Sequence, residues 1–192
     1  VKLFWNVRQT LYDLKNEKPQ TRWLIILGRW LSFLPQGIIY NSAKSAEQHV
    51  AVGFSAKKIN MIPNGFDLQK FCPDQNRRQQ LREELEVSES AILIGHISRL
   101  HPMKDHTTLL RAIDRVTENI SGSGSKQEVL FLLAGHGVTS ELSSNTAIRF
   151  LGERSDIPKI MSALDIVVSS SAWGEGFPNV IGEAMASEVP CV

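Results

Sequence analysis

Two carboxylates, Glu175 and Glu183, bracket a turn that reads Gly176-Phe177-Pro178-Asn179, followed by the small and apolar run Val180 to Ala186. Proline is accommodated in the first turn of a helix because its missing N–H would be unpaired there anyway. The spacing therefore predicts a loop that enters a helix near Pro178, with unpaired backbone N–H groups facing back over the loop. Such a helix start favours anions, phosphate above all. A carboxylate can accept two hydroxyl hydrogen bonds at once, which suits a sugar diol. One acid could hold a sugar and the other a ribose, with phosphates between them. Taken singly, a Glu at a helix start only complements the dipole, and a Glu inside a helix is usually solvated; the combination carries the reading. A second set is Arg99 and Lys104, placed across a strand-to-helix loop. A pyrophosphate is met well by one planar bidentate donor and one compact cation, although two basic residues on a loop can also simply be solvated.

Regular elements must hold these groups. The apolar runs Ile92–Ile97, Val129–Ala134, Ile148–Leu151 and Ile166–Ser169 have strand length, and helical patterns separate them. One helix carries Leu109, Leu110, Ile113 and Val116 on one side, a second covers Ile157 to Leu164, and Cys191-Val192 begins a further strand. Continuous apolar strands alternating with helices predict an α/β fold, a doubly wound, Rossmann-like parallel sheet covered on both faces. Ligands of such sheets lie beyond the carboxyl ends of the strands. Arg99, Gly135, Gly152-Glu153 and Glu175 each follow a strand, so four loops converge on one edge. The stretch Ser121 to Ser125 reads as a flexible surface loop.

Residues 1–35 read as helical, with Leu3, Val7, Leu11 and Leu14 at helical spacing and a polar break from Lys15 to Gln20. The second apolar segment, Trp23 to Leu34, is too short and too charged at Arg29 to span a bilayer. Its basic surroundings and Trp5, Trp23 and Trp30 would suit a peripheral membrane contact, but apolar helical stripes more often face a core. Ile38 to Ser42 reads as a strand running into a helix capped by Ser42 or Ser45 and ended by Gly53. Ile59 to Ile62 is a further strand, Pro63-Asn64-Gly65 a turn, and Gln75 to Leu85 a charged helix.

A chain of 192 residues suffices for one large or two small domains, and a net charge of +1 implies no general attraction to nucleic acid. Cys72 and Cys191 form no metal pattern and suit a reduced, cytoplasmic setting. No Asp-x-Asp stands at a strand end and no histidines cluster, so no metal cofactor is expected. The first residues carry no signal-peptide core, and both ends read as cut from a longer protein.

The run Gly174 to Ala186 resembles the E-x7-E motif of retaining GT-B glycosyltransferases, the large family that includes sucrose synthases and many bacterial polysaccharide transferases. Arg99-Leu100 with Lys104 resembles that family's Arg-Leu-x-x-x-Lys element, and Gly135-His136-Gly137 its Gly-x-Gly turn. Ser98 stands where the family often has Gly, and Asp105 replaces the Gly that usually follows the Lys. Ile62 to Asp67 resembles the family's interdomain crossing, and Phe150 to Ile157 with Asn179-Val180 resembles the branch that builds bacterial polysaccharides. The resemblance implies the donor-binding half of a GT-B fold plus the tail of the N-terminal domain. Residues 1–62 would be the acceptor-side tail and crossing, 63–90 a linker and helix, and 91–192 an incomplete nucleotide-sugar domain.

It also implies roles. Arg99 and Lys104 would hold the diphosphate, Glu183 the ribose hydroxyls, and Glu175 the donor sugar. Gly176, Phe177, Pro178, Asn179 and Val180 would present backbone to sugar and phosphate, with Gly135 nearby. Leu151, Glu153 and Arg154 would lie beside the base. The implied reaction moves a sugar from a UDP- or GDP-linked donor to an acceptor sugar or lipid-linked glycan, with retention and without a metal. The setting would be the cytoplasm, including the inner face of the cytoplasmic membrane, and this chain alone would not turn over. Competing readings are a nucleotide-sugar 2-epimerase and a non-catalytic nucleotide-binding module.

Overall fold

The computed structural model describes residues 1–192, the side chain of Asn16 aside. The chain forms two compact units, residues 1–65 with 173–178, and residues 66–172 with 179–192.

In the first unit, β1 (Phe4–Val7), β2 (Gly37–Tyr40) and β3 (Ile59–Met61) make a parallel sheet in the order β1-β2-β3, with α1 (Pro19–Leu31) and α2 (Ala43–Ala51) in the connections. Ile38 and Tyr40 of β2 are fully buried and pack with Leu11, Ile25, Ala46 and Phe54. Two sequence expectations are corrected here. Residues 4–7 are a strand, not helix: Phe4 to Val7 pair with Gly37 to Tyr40. Trp5 and Val7, alternate residues of that strand, pack on the core cluster, so apolar spacing compatible with a helix also serves one face of a strand. The polar break is shorter than expected, because Pro19 already stands in the first turn of α1, where its missing N–H is harmless. Ser42 caps α2 by accepting from the Ser45 N–H. Trp23 and Trp30 are exposed on α1. Among the described residues no helix is long and apolar enough to cross a membrane.

The second unit contains α3 (Gln75–Glu84), β4 (Ile92–Ile97), α4 (His106–Gly122), β5 (Val129–Ala134), β6 (Ile148–Gly152), α5 (Ile157–Ala163), β7 (Ile166–Val167) and α6 (Asn179–Ala186). Its sheet is parallel with order β6-β5-β4-β7, and Cys191 adds a parallel bridge beside Val167. The chain builds outward from β4 to β6 and then returns to the other side of β4. That reversal makes the carboxyl ends of β4 and β7 a topological switch point, where open α/β sheets leave a crevice.

Alternation along β5 shows the double winding. Leu130 and Leu132 pack with Leu81, Ile160 and Ala184 on one face, whereas Phe131 and Leu133 pack with Leu109 and Ile113 of α4 on the other. Full burial of one such side chain is worth roughly 1.5–3 kcal/mol. Within the segment expected as linker and helix, α3 is a core element of this unit, with Leu81 fully buried. Arg82 beside it is also fully buried, and its guanidinium donates to the carbonyls of Ser88 (2.8 Å) and Ala91 (3.0 Å) and to Asp165 (2.8 Å). Asp165 also accepts from the Leu93 N–H (2.7 Å), which ties α3 to β4 and to the start of β7.

Two boundaries differ from the sequence reading. α4 continues to Gly122, into the stretch read as loop, and the turn after it contains Gly124 at φ 68. β7 as a regular strand stops at Val167, two residues early, although the Val168 N–H still reaches the Gly95 carbonyl and the Ser169 N–H the Val192 carbonyl; the Val168 carbonyl accepts from a histidine side chain.

Candidate donor site

Arg99 sits between two main-chain ties. The Ser98 N–H donates to the Ala134 carbonyl (2.9 Å) and the Leu100 N–H to the His136 carbonyl (2.8 Å), leaving the Arg99 side chain exposed. A 3-10 turn over Pro102–Lys104 follows, with the His101 imidazole accepting from the Met103 N–H (3.2 Å). Asp105 then takes a left-handed conformation, φ 45, and its carboxylate accepts from the Thr108 N–H (3.2 Å) to cap α4. Aspartate tolerates the left-handed region better than most residues and adds a cap that Gly lacks. Two bonds join this loop to the one after β7: Ser170 Oγ donates to the Lys104 carbonyl (2.6 Å) and the Ala172 N–H to the Met103 carbonyl (2.9 Å).

Gly135 closes the end of β5 at φ 146, and its N–H donates to the Gly152 carbonyl (2.7 Å). A Cβ there would overlap the Ser98 carbonyl, so only glycine lets β5 pass this close to the Arg99 loop. The loops after β4, β5 and β6 are thus fastened side by side. Glu153 is exposed and pairs with His136 (3.1 Å), a surface contact of little energetic weight. Leu151 is half-buried against the core. Arg154 is engaged within the protein. Its guanidinium forks onto Asp156 (2.7 Å to each oxygen) and donates to Glu84 (3.0 Å), which also accepts from Lys159 (2.6 Å). Asp156 on Arg154 holds the guanidinium above its usual range, Arg154 holds Asp156 below the usual carboxylate range, and Lys159 with Arg154 does the same for Glu84. In this structure Arg154 braces α3 against the loop before α5.

α6 begins at Asn179, as the turn-to-helix reading expects near Pro178. Val180 packs on the core, and Gly182 lies where a Cβ would overlap the Phe66 ring. This seating leaves Glu183 half-buried in the wall of a groove of about 530 Å³, shared with Lys70, Phe71, Arg77, Ser155 and Ile157. Burial raises the Glu183 carboxyl above its ordinary pKa. A poorly solvated carboxylate facing a groove is suited to accept hydrogen bonds from ligand hydroxyls.

The turn that precedes α6 is held by the first unit. Gly174 and Glu175 accept on their carbonyls from the Thr10 N–H (3.2 Å) and Thr10 Oγ1 (3.1 Å), and Gln9 and Glu175 form an antiparallel bridge. The Phe177 carbonyl accepts from the Asn64 amide (3.3 Å), and Arg8 donates to that amide's oxygen (3.1 Å). Gly176 lies against Asn41, where any Cβ would overlap the amide oxygen. Residues 173–178, with Glu175, Gly176, Phe177 and Pro178, therefore belong to the first unit, while Asn179, Val180 and Glu183 belong to the second.

Arg99, Lys104, Gly135 and Glu153 thus share the carboxyl edge of the second unit's sheet. Two groups escaped the sequence reading. Thr10 and Asn64 carry the Glu175 turn, and no local pattern marks them. His96 and His106 flank the Arg99–Lys104 loop and are joined through Ser98. A histidine near the end of an apolar strand and another at the first position of the next helix were the available signal.

Residues 91–192 match the family described as Glycosyl transferases group 1. The chain is 30% identical over 144 residues to UDP-Gal:alpha-D-GlcNAc-diphosphoundecaprenol alpha-1,3-galactosyltransferase of Escherichia coli, covering 70% of this chain and 36% of that protein. It is 26% identical over 168 residues to phosphatidyl-myo-inositol mannosyltransferase of Mycobacterium tuberculosis, covering 79% of this chain and 41% of that protein. It thus spans less than half the length of these two relatives. The crystal structure of Anabaena Alr3699/HepE in complex with UDP and glucose superposes with a TM-score of 0.81 at 26% identity, over 99% of this chain and 52% of that one. The lipopolysaccharide glycosyltransferase WaaG shares the fold at a TM-score of 0.73 and 14% identity, over 98% of this chain and 55% of that one. With its parallel α/β units and its basic loop at the switch point, this chain belongs to the group 1 glycosyl transferases and has their GT-B-type fold.

Proposed function

We propose that this chain carries the donor-binding machinery of a glycosyltransferase that moves a sugar from a nucleotide diphosphate to an acceptor hydroxyl with retention. The observation that carries it is the Arg99–Lys104 loop at the switch point of the sheet, in the same unit as a half-buried Glu183 on a groove wall. Arg99 and Lys104 meet the diphosphate and stabilise the charge that grows on it as the sugar departs. They supply positive charge that a divalent ion supplies in other transferases, so this reading needs no metal. Glu183 accepts from the ribose hydroxyls, and Glu175 with Gly176 to Asn179 faces the donor sugar and phosphate. Leu151 and Glu153 flank the base, whereas Arg154 takes part through the loop it braces. UDP in the HepE complex and the UDP-galactose donor of the Escherichia coli relative support a uridine diphosphate donor. That relative's diphosphoundecaprenol substrate supports a lipid-linked glycan as acceptor, in polysaccharide assembly at the cytoplasmic face of a membrane.

Calorimetric titration of the folded chain with UDP and GDP, alongside Glu183→Ala and Arg99→Ala, tests the donor site. Saturable UDP binding is expected, weakened about tenfold or more by either substitution, the equivalent of about 1.4 kcal/mol. UDP binding untouched by both would overturn the placement.

A further inference from the structure

We propose that His96, Ser98 and His106 form a directed hydrogen-bond chain that positions Arg99 and Lys104 for the diphosphate. The inference rests on the donor-site reading above and assigns these three residues a positioning role, not a catalytic one.

The direction of the chain follows from the chemistry of its ends. A carbonyl can only accept, so His96 Nδ1, 3.0 Å from the Val168 carbonyl, carries its proton there. Neutral His96 then presents a lone pair at Nε2, and Ser98 Oγ at 2.8 Å donates its only hydrogen to it. Toward His106 Nε2, 3.3 Å away, the same oxygen can only accept, so His106 carries its proton on Nε2. His106 Nδ1 is left as a bare lone pair, buried and without a hydrogen-bond partner. Every proton in the chain is thereby placed, provided both rings are neutral. Burial favours that state: His96 is 4% and His106 5% exposed, and desolvation lowers the pKa of both.

The location gives the chain its purpose. Ser98 immediately precedes Arg99, and His106 follows Asp105, so one hydroxyl ties the two ends of the cation loop together. His96 carries the tie to Val168, at the start of the loop after β7. The rings meet edge to face, 5.0 Å apart at 90°, which leaves the assembly little room to swing. A stable core does not need this arrangement. Apolar side chains would fill the volume without burying an orphan acceptor, whose desolvation is a net cost. What three polar groups add is a fixed span and orientation for the loop, which a bidentate fork and a point charge require to meet a diphosphate together.

The test separates the phosphate part of donor binding from the nucleoside part. Dissociation constants for UDP and for uridine are measured by ligand-observed NMR on the whole chain and on Ser98→Ala, His106→Leu and His106→Gln. The glutamine amide can donate from near the position of the imidazole Nε2. Ser98→Ala and His106→Leu are expected to weaken UDP at least fivefold while uridine stays within twofold of wild type, and His106→Gln to recover most of the UDP affinity. UDP binding within twofold of wild type in both Ser98→Ala and His106→Leu would overturn the proposal. So would equal losses for UDP and uridine, which mark a merely structural role. A wild-type chain that binds uridine no more weakly than UDP would instead sink the diphosphate reading, and this inference with it.

Discussion

Glu183 shows how a single residue can be set against the stability of its own fold. Its neighbours on α6 are apolar or small, its carboxyl is half-buried, and burial alone raises its pKa. A carboxyl with a raised folded pKa contributes stability that is present below its unfolded pKa and lost as pH rises through the folded value. The ionised side chain therefore works against folding at neutral pH. Glu183→Gln is expected to leave the urea midpoint at pH 8 equal to or above wild type, while weakening UDP binding roughly tenfold by replacing a charge-assisted acceptor with a neutral amide. A variant that loses stability and binding together would point to a structural role instead. Arg154 shows the opposite relation. Its fork is already filled by Asp156 and it also meets Glu84, so its substitution acts first on the packing of α3 and α5.

Individual elements matter here chiefly for where their carboxyl ends stop. β4 and β5 stay in register to Ile97 and Ala134, β6 shifts by one residue so that Gly152 pairs with Ala134, and Gly135 lets the β5 end approach the Ser98 carbonyl and bond the Gly152 carbonyl. Gly135→Ala is expected to destabilise the chain by about 2–3 kcal/mol in urea unfolding, from a strained φ together with a clash against main chain. Gly122→Ala serves as the control, since nothing lies near its added methyl, and should be neutral or stabilising by up to about 1 kcal/mol. The ion pair beneath the sheet sets a second limit. Asp165, at the junction of α3, β4 and β7, is also met by Arg78 (2.9 Å), so Arg82→Ala removes one of its two guanidinium partners and takes their side-chain donor from the Ser88 and Ala91 carbonyls; a loss of about 1–3 kcal/mol is expected in the same assay.

At the scale of the whole molecule, buried histidines set the response to acid. His96 falls from 6.5 to about 4 on folding, mainly by desolvation, and His49 and His106 shift in the same direction for the same reason. A folded pKa below the unfolded one means that the unfolded chain takes up the proton first. The contribution of His96 is thus complete above pH 6.5 and declines as pH falls toward 4. At about 1.4 kcal/mol per pH unit, roughly 2 kcal/mol is lost from this residue between pH 7.5 and 5. Chemical unfolding at these two pH values should show a smaller loss in His96→Gln than in wild type; equal losses would refute the assignment of this acid sensitivity to His96.

How much of this was legible in advance depended on the range of the interactions involved. Apolar runs bounded by helical patterns are local, so the strands Ile92–Ile97 and Val129–Ala134, their parallel α/β class and the placing of the Arg99, Gly135 and Glu153 loops at one sheet edge follow from sequence alone, whereas the Glu175 loop belongs to the first unit. The helix cap, read as Ser42 or Ser45 and found at Ser42, and the helix start near Pro178 were equally local. Only the tertiary structure decided that residues 4–7 are a strand, because their backbone partners, Gly37 to Tyr40, lie far along the chain. It alone joined His96 to His106 through Ser98, filled the Arg154 fork with Asp156 and Glu84, and gave the Glu175 turn to Thr10 and Asn64. Periodicity records which side of an element is apolar. Desolvation and hydrogen-bond partnership are properties of whatever lies across the gap in space, and folding alone brings those groups together.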